Sequence, residues 1–388
     1  MPVPLLDVNA QNHPLEAEFN AAFQRVFKSG QFIMGPDVAA LESELCTLTG
    51  ARHAITVSSG TDAILLALMA LGIGPGDEVL LPTFTFFATA GCVSRVGATP
   101  VFVDSHPSCF NINLEDARAK ITPRTKAIMP VHLFGQSADM EAVLALAKEF
   151  NLRVIEDGAQ AIGAKYRGGS CGTLGDFGTF SFFPSKNLGG LGDSGAVVCN
   201  DDDLAEMTRV LRNHGMKPKY YHQFIGGNFR NDTLQAALLR VKIPHYPEYT
   251  QKRQANAAYY TKRLLAMGGV AQAVPGSSEI EPKAKIVLPV AHTHNEHIWN
   301  QYTLRLIGPG QRDAFREHMV SKKIGCEIYY PLTLDQQDCF ANTPAASRQG
   351  CQVAHALAQQ VASIPIYPEL SEAQKDEVVA AIEEFVGK

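Results

Sequence analysis

The sequence predicts an α/β protein, with a large domain built on a mostly parallel mixed sheet flanked by helices and a smaller αβ domain after it. Three observations carry this expectation. Short apolar runs that suit buried strands (Val79-Leu-Leu-Pro82, Pro100-Val-Phe-Val-Asp104, Ala127-Ile-Met-Pro-Val131, Val154-Ile-Glu-Asp157) alternate with stretches of helical spacing. That alternation is the mark of βαβ units and a parallel sheet. A chain of 388 residues also exceeds what one core usually serves, which predicts two domains. Finally, the chain turns at Ile243-Pro-His-Tyr-Pro247. We therefore expect domains of residues 1–245 and 246–388.

The elements follow in order. Ala54-Ile-Thr-Val reads as a strand that runs through Ser58-Ser-Gly-Thr-Asp62 into the apolar helix Ala63-Ile-Leu-Leu-Ala-Leu-Met-Ala-Leu71. Residues 139–150 place Met140, Val143, Leu144, Leu146 and Ala147 on one helical stripe. Beyond the turn, the polar stretch 251–265 predicts a helix, and residues 371–386 close the second region with another. No internal repeat or low-complexity segment interrupts the pattern.

Three segments carry chemistry. In Thr179-Phe-Ser-Phe-Phe-Pro-Ser-Lys-Asn-Leu-Gly-Gly190, an apolar stretch delivers Lys186 to a glycine-rich turn with hydroxyls at Ser181 and Ser185. Burial disfavours an ammonium, and a neutral amine beside a phosphate-binding turn is what a Schiff base with pyridoxal phosphate (PLP) requires. Taken alone, Lys186 reads as well as a lysine snorkelling out of a core strand. The second segment, Arg153-Val-Ile-Glu-Asp157-Gly-Ala-Gln160, is a buried strand ending in carboxylates, where ligands of open α/β sheets bind. A carboxylate there keeps the cofactor's ring nitrogen protonated. Asp157 is the candidate because Glu156 faces the other side of the strand, and Gln160 is placed to reach the ring's phenolic oxygen. A helix N-cap is the alternative for Asp157. In the third segment, Ser59-Gly-Thr61 opens the helix from 63, where free N–H groups and the dipole favour a phosphate. Ordinary helix capping explains the same residues.

Together these segments resemble a known family. Ser59-Gly-Thr-Asp-Ala63, Gly74-Pro-Gly-Asp-Glu78, Pro100-Val-Phe-Val-Asp104, Glu156-Asp-Gly-Ala-Gln160 and Ser181-Phe-Phe-Pro-Ser-Lys-Asn187 are similar to motifs of the DegT/DnrJ/EryC1/StrS sugar aminotransferases. The resemblance runs in order from Gly30-Gln-Phe-Ile-Met-Gly-Pro36 to Tyr330-Pro331. It implies the PLP aminotransferase fold type I and transfer of an amino group, usually from glutamate, to a nucleotide-linked keto sugar. It implies that Lys186 is the Schiff-base lysine and proton carrier and Asp157 the ring-nitrogen partner. Gly60, Thr61 and Ser181 then hold the phosphate, Gln160 meets the ring hydroxyl, and Phe86 stacks on the ring. Asn228, in Gly226-Gly-Asn-Phe-Arg230, matches a residue that reaches the neighbouring subunit's phosphate, so a homodimer with shared sites is implied. Lysine at 186, where related dehydratases carry histidine, points to transamination.

The substrate end departs from the family pattern. Tyr330-Pro-Leu-Thr-Leu-Asp335 ends in Asp where relatives often carry His, and Gly227 and Asn231 flank Asn228-Phe-Arg230 where many have a tyrosine and an apolar residue. Arg230, Tyr329 and Asp335 are the expected sugar-facing residues. For Arg230, an acidic group on the substrate and a structural ion pair remain equal readings. Segments 182–189, Arg212-Asn-His-Gly215 and Tyr221-His222 resemble the branch that aminates C3. Amination at C4, another cyclic ketone, and a PLP-binding regulator without turnover remain the alternatives.

Composition narrows the remaining classes. A net charge of −5 gives no basic field for nucleic acid. The longest apolar run is far below the roughly 20 residues a membrane helix needs, and the first residues lack a signal-peptide pattern. Eight cysteines without a Cys-x-x-Cys pair predict reduced thiols and a cytoplasmic protein. His292, His294 and His297 crowd one segment, but no metal site is expected there. His132 is either a core histidine or a neighbour of the cofactor.

Overall fold

The computed structural model describes residues 2–274, 283–343 and 350–387. Its centre is a seven-stranded sheet: β1 (His53–Val57), β2 (Glu78–Pro82), β3 (Thr99–Val103), β4 (Thr125–Ile128), β5 (Arg153–Asp157), β6 (Phe177–Ser181) and β7 (Gly195–Cys199). The spatial order is β1-β7-β6-β5-β4-β2-β3. Neighbours from β3 to β6 pair in parallel, while β7 runs antiparallel to both β6 and β1. The sheet is therefore mixed and mostly parallel, as expected. Its strands are buried along nearly their whole length, which is why they read as continuous apolar runs.

Helices cover both faces. The helix Gly60–Ala70 buries Ala63 through Leu68 without a break, so it lies deep in the largest core cluster with Phe84, Phe102 and Phe177. Helix Met140–Phe150 packs its predicted stripe against β4 and β5 and is capped by Asp139, whose carboxylate accepts the N–H of Ala142 at 3.3 Å. A second, four-stranded sheet is formed by Val270–Gln272, Ile286–Leu288, Tyr302–Leu306 and Val361–Ile364. Its core includes the helices Tyr246–Leu265, Gln311–Ser321 and Glu372–Gly387.

Two local expectations shift. The helix predicted from 251 begins at Tyr246, because Pro247 sits in its first turn, where a missing N–H costs nothing. The two cores also exchange chain. Val3 bridges Ile324 and is buried in the second core, whereas Leu334, Phe340 and Leu357 join the first. Long-range packing of this kind leaves no periodic trace in sequence.

Candidate active site

The carboxyl end of β5 sets the centre. Strand alternation sends Glu156 and Asp157 to opposite faces, and the two carboxylates have different surroundings. Glu156 is fully buried and accepts the N–H groups of Gly172 (2.8 Å), Leu174 (2.7 Å) and Gly175 (2.7 Å). His132 lies 2.8 Å from its Oε2. Since the N–H of Ala138 donates to His132 Nδ1 at 3.1 Å, the proton sits on Nε2 and points at Glu156. Both ring nitrogens of His132 are thus used within the core, which answers the question its position raised.

Asp157 has a different set of partners. Its Oδ2 accepts the Thr89 hydroxyl at 2.8 Å and its Oδ1 the N–H of Ala159 at 3.2 Å. Burial pushes its pKa up, while the Thr89 hydrogen bond and the Lys186 charge pull against that. No helix begins after β5, so the N-cap alternative falls away. Lys186 follows the end of β6, in a turn closed by its own N–H to the Phe183 carbonyl at 2.8 Å. Burial lowers its pKa to about 8, against the opposing pull of Asp157. A substantial neutral fraction near neutral pH is the consequence.

The start of helix Gly60–Ala70 offers N–H groups and a dipole end suited to an anion. Ser59 caps it, accepting the Asp62 N–H at 3.0 Å, and the hydroxyls of Ser58 and Ser59 both donate to Asp62 Oδ2. A Cβ on Gly60 would lie 2.7 Å from Ser181 Cβ, and one on Gly195 would lie 2.5 Å from the Ser59 main chain. The three segments meet only because both positions are glycine. Gly195 escaped the sequence reading; the one signal was a lone glycine opening the run Gly195-Ala-Val-Val-Cys199.

The wall opposite comes from the second half of the chain. Gln160 is oriented by the Phe134 N–H, which donates to its Oε1 at 2.6 Å and leaves Nε2 outward, 3.3 Å from the Tyr330 hydroxyl. The Tyr330 ring stands 6.2 Å from those of Phe86 and Phe84, and Tyr329 lies beside it. Asp335, expected at the sugar, has both oxygens engaged within the chain. Thr83 donates to Oδ1 at 2.5 Å and His355 lies 2.7 Å from Oδ2. These contacts tie the segment carrying Tyr329 and Tyr330 to the end of β2. Arg230 borders an open cleft with Ser58, Ser59 and Asp62, its Nη1 donating to Asn213 Oδ1 at 2.6 Å. Its Nε has no partner among the described residues. Asn228 is exposed, next to Phe229, whose carbonyl accepts the Ser58 N–H at 3.0 Å.

The three histidines do not converge. His297 is buried and stacked on Trp299 at 3.8 Å, and burial drops its pKa to about 3. His292 and His294 face each other edge to face at 5.7 Å. Among the described residues no three His, Cys, Asp or Glu side chains gather as a metal site requires.

A mostly parallel sheet with a half-buried lysine, a buried aspartate and a glycine-built anion cradle at its strand ends defines a PLP-dependent aminotransferase. The donor set fits that cofactor: an amine shifted toward its neutral form, a carboxylate for the ring nitrogen and a main-chain cradle for the phosphate. The chain belongs to the DegT/DnrJ/EryC1/StrS aminotransferase family, whose profile it matches over residues 14–383. It is 45% identical over 386 residues to a pleiotropic regulatory protein of Geobacillus stearothermophilus, covering 99% of each chain. It is 42% identical over 380 residues to the UDP-N-acetyl-3-dehydro-alpha-D-glucosamine 3-aminotransferase of Acidithiobacillus ferrooxidans, covering 98% of this chain and 97% of that one. The crystal structure of DesV from S. venezuelae, in complex with a ketimine intermediate, superposes with a TM-score of 0.92 at 39% identity, covering 100% of this chain and 99% of that one.

Proposed function

We propose that this enzyme transfers an amino group from glutamate to the C3 keto carbon of a nucleotide-linked sugar. The observation that carries the reading is the pairing of Lys186 and Asp157, an amine whose pKa burial lowers to about 8 and a buried carboxylate whose charge acts on it. When bound, the cofactor supplies an electron sink that makes the donor's α-proton removable. Asp157 would partner the ring nitrogen and favour its proton, and the Thr89 hydrogen bond opposes the effect of burial on that carboxylate. Lys186 Nζ would hold the cofactor and would serve as the base and acid that carries the donor's α-proton. Holding acid and base on one side chain at short range makes a single lysine sufficient. Gly60, Thr61 and Ser181 would hold the cofactor's phosphate, Phe86 would stack on its ring, and Gln160 would offer Nε2 to the ring hydroxyl.

The C3 preference draws support from relatives whose names place the amino group at C3, including the A. ferrooxidans protein and a dTDP-3-amino-3,4,6-trideoxy-alpha-D-glucose transaminase of Streptomyces venezuelae, 39% identical over 386 residues. Arg230 and Tyr329 face the sugar, and Asp335 positions the segment on which Tyr329 and Tyr330 stand. Two chains complete each site. The exposed Asn228 reaches the partner's phosphate, and Phe183 (50% exposed) and Ile225 (94% exposed) give the surface a partner would cover. We assign cofactor binding to residues 1–245 and the smaller domain to 246–388. No described helix is long and apolar enough to cross a membrane, and all eight cysteines are free, which supports a cytoplasmic enzyme.

The test is spectroscopic. The holoenzyme should lose its visible cofactor band on addition of L-glutamate and regain it with a nucleotide-linked 3-keto sugar. A band that glutamate leaves untouched would favour the second reading, a PLP-binding regulator, to which the name of the G. stearothermophilus relative points.

A further inference from the structure

Beside Ser185 a second cavity opens between the N-terminal segment and the strand Val361–Ile364. Its wall includes Leu6, Ser185, Arg253, Asn300, Tyr329 and Tyr367. Two of these are chain neighbours of site residues, Ser185 of Lys186 and Tyr329 of Tyr330, so the cavity lies between the smaller sheet and the turn that carries Lys186, which does not itself line it. Arg253 is the one charged side chain on that wall. It is only 3% exposed, and its Nη1 donates to the carbonyls of Trp299 (3.1 Å) and Asn300 (3.3 Å). Its Nε has no partner among the described residues.

Carbonyl oxygens orient a guanidinium without neutralising it. Burial pulls the pKa of Arg253 down to about 10, although Tyr246 and Glu369 favour its charge. A planar anion with two oxygens is the ligand whose geometry matches the donors left over. The cavity, of about 50 Å³, admits a carboxylate and the atoms beside it but not a diphosphate with its nucleoside. Hydroxyls at Ser185 and Tyr329 add donors, and no acidic side chain lines the wall to repel an anion.

We propose that this cavity binds the carboxylate of the amino donor, with Arg253 as its anchor and the donor's amino group directed at Lys186. The inference rests on the aminotransferase reading and adds to it a subsite that contains Tyr329 and is separate from the cleft that Arg230 borders. An α-amino acid is the class of ligand, and a nucleotide sugar enters from elsewhere.

Single-turnover kinetics of the holoenzyme test this, with L-glutamate as the probe for the first half-reaction. The enzyme loaded with the aminated cofactor, mixed with a nucleotide-linked 3-keto sugar, reports the second. Arg253→Met should raise the glutamate concentration for half-saturation roughly 10- to 100-fold, the range for losing a hydrogen bond to a charged group. The keto-sugar half-reaction should stay within about twofold. Since Arg253 is buried and its loss threatens folding, Leu6→Trp provides an independent route. Leu6 is half-buried on the N-terminal segment and lines the cavity, so a larger ring there takes up its space while Arg253 is kept. It should produce the same selective loss. Equal losses in both half-reactions, or unchanged glutamate saturation in a folded Leu6→Trp, would overturn the proposal. A wild-type enzyme that reacts with glutamate but accepts no 3-keto sugar would instead refute the substrate reading and leave this subsite standing.

Discussion

The Thr89 hydroxyl donates to Asp157 Oδ2 at 2.8 Å, so a residue from the helix Ala88–Arg95 opposes the effect of burial on a carboxylate at the end of β5. Burial alone would favour the protonated acid, which cannot hold a pyridinium proton in place. The hydrogen bond from Thr89 works against burial and keeps the carboxylate available.

Thr89→Val removes that hydrogen bond without changing the side chain's shape. Asp157 should then become harder to ionise, moving the acidic limb of the pH–kcat profile to higher pH. The loss of about 1–1.5 kcal/mol corresponds to roughly tenfold in kcat at neutral pH. A profile identical to the parent enzyme's would remove Thr89 from the account.

The two glycines of the cradle should differ in tolerance. Gly60→Ala meets the Ser181 side chain, and Gly195→Ala meets the Ser59 main chain, which has less room to give. We expect Gly60→Ala to fold and bind PLP at least about tenfold more weakly, and Gly195→Ala to lower the melting temperature as well. Cofactor titration and calorimetry on both variants check the order.

Lys186→Ala should retain the fold, abolish transamination and lose the visible band of the bound cofactor. The depressed pKa also predicts a pH dependence. In the apoenzyme, the rate of PLP capture should rise about tenfold per pH unit up to about pH 8 and flatten above it, because only the neutral amine attacks. Stability follows the same shift. An unfolded lysine keeps its proton up to its ordinary value of 10.5 and the folded one releases it near 8, so the folded apoenzyme gains stability as pH rises between them. Lys186→Met should lose that gain.

Adjacent residues on β5 should fail in different ways. Glu156→Ala leaves buried N–H donors at Gly172, Leu174 and Gly175 without their acceptor, at a cost of about 3 kcal/mol in folding. Asp157→Asn should leave the melting temperature within a few degrees and reduce turnover by at least about a hundredfold. Thermal melts paired with single-turnover rates separate the two.

Much of this site was legible because its chemistry is local. Lys186, Asp157, Gln160 and Ser59-Gly-Thr61 each lie where a strand ends, and a strand end is announced by a short apolar run followed by polar or glycine residues. Residues that support these groups from other elements left no such trace. Thr89 looks like any helical threonine, Gly195 like any strand glycine, and Arg253 like one more charge on a polar helix. The same limit explains Asp335, whose place in a family-like segment pointed to the sugar while Thr83 and His355 claim its oxygens.

The sequence by itself determined the α/β class, the strands and their direction into the site, the lysine–aspartate pair and the family, since these depend on periodicity and on motifs a few residues long. Only the tertiary structure decided which main-chain groups hold Glu156, which hydroxyl opposes burial at Asp157, which glycines let the three segments meet, and that the N-terminal segment and Arg253 wall a second cavity beside Ser185. Those facts depend on side chains far apart in sequence meeting at hydrogen-bond distance, and the packing of the whole chain alone sets such distances.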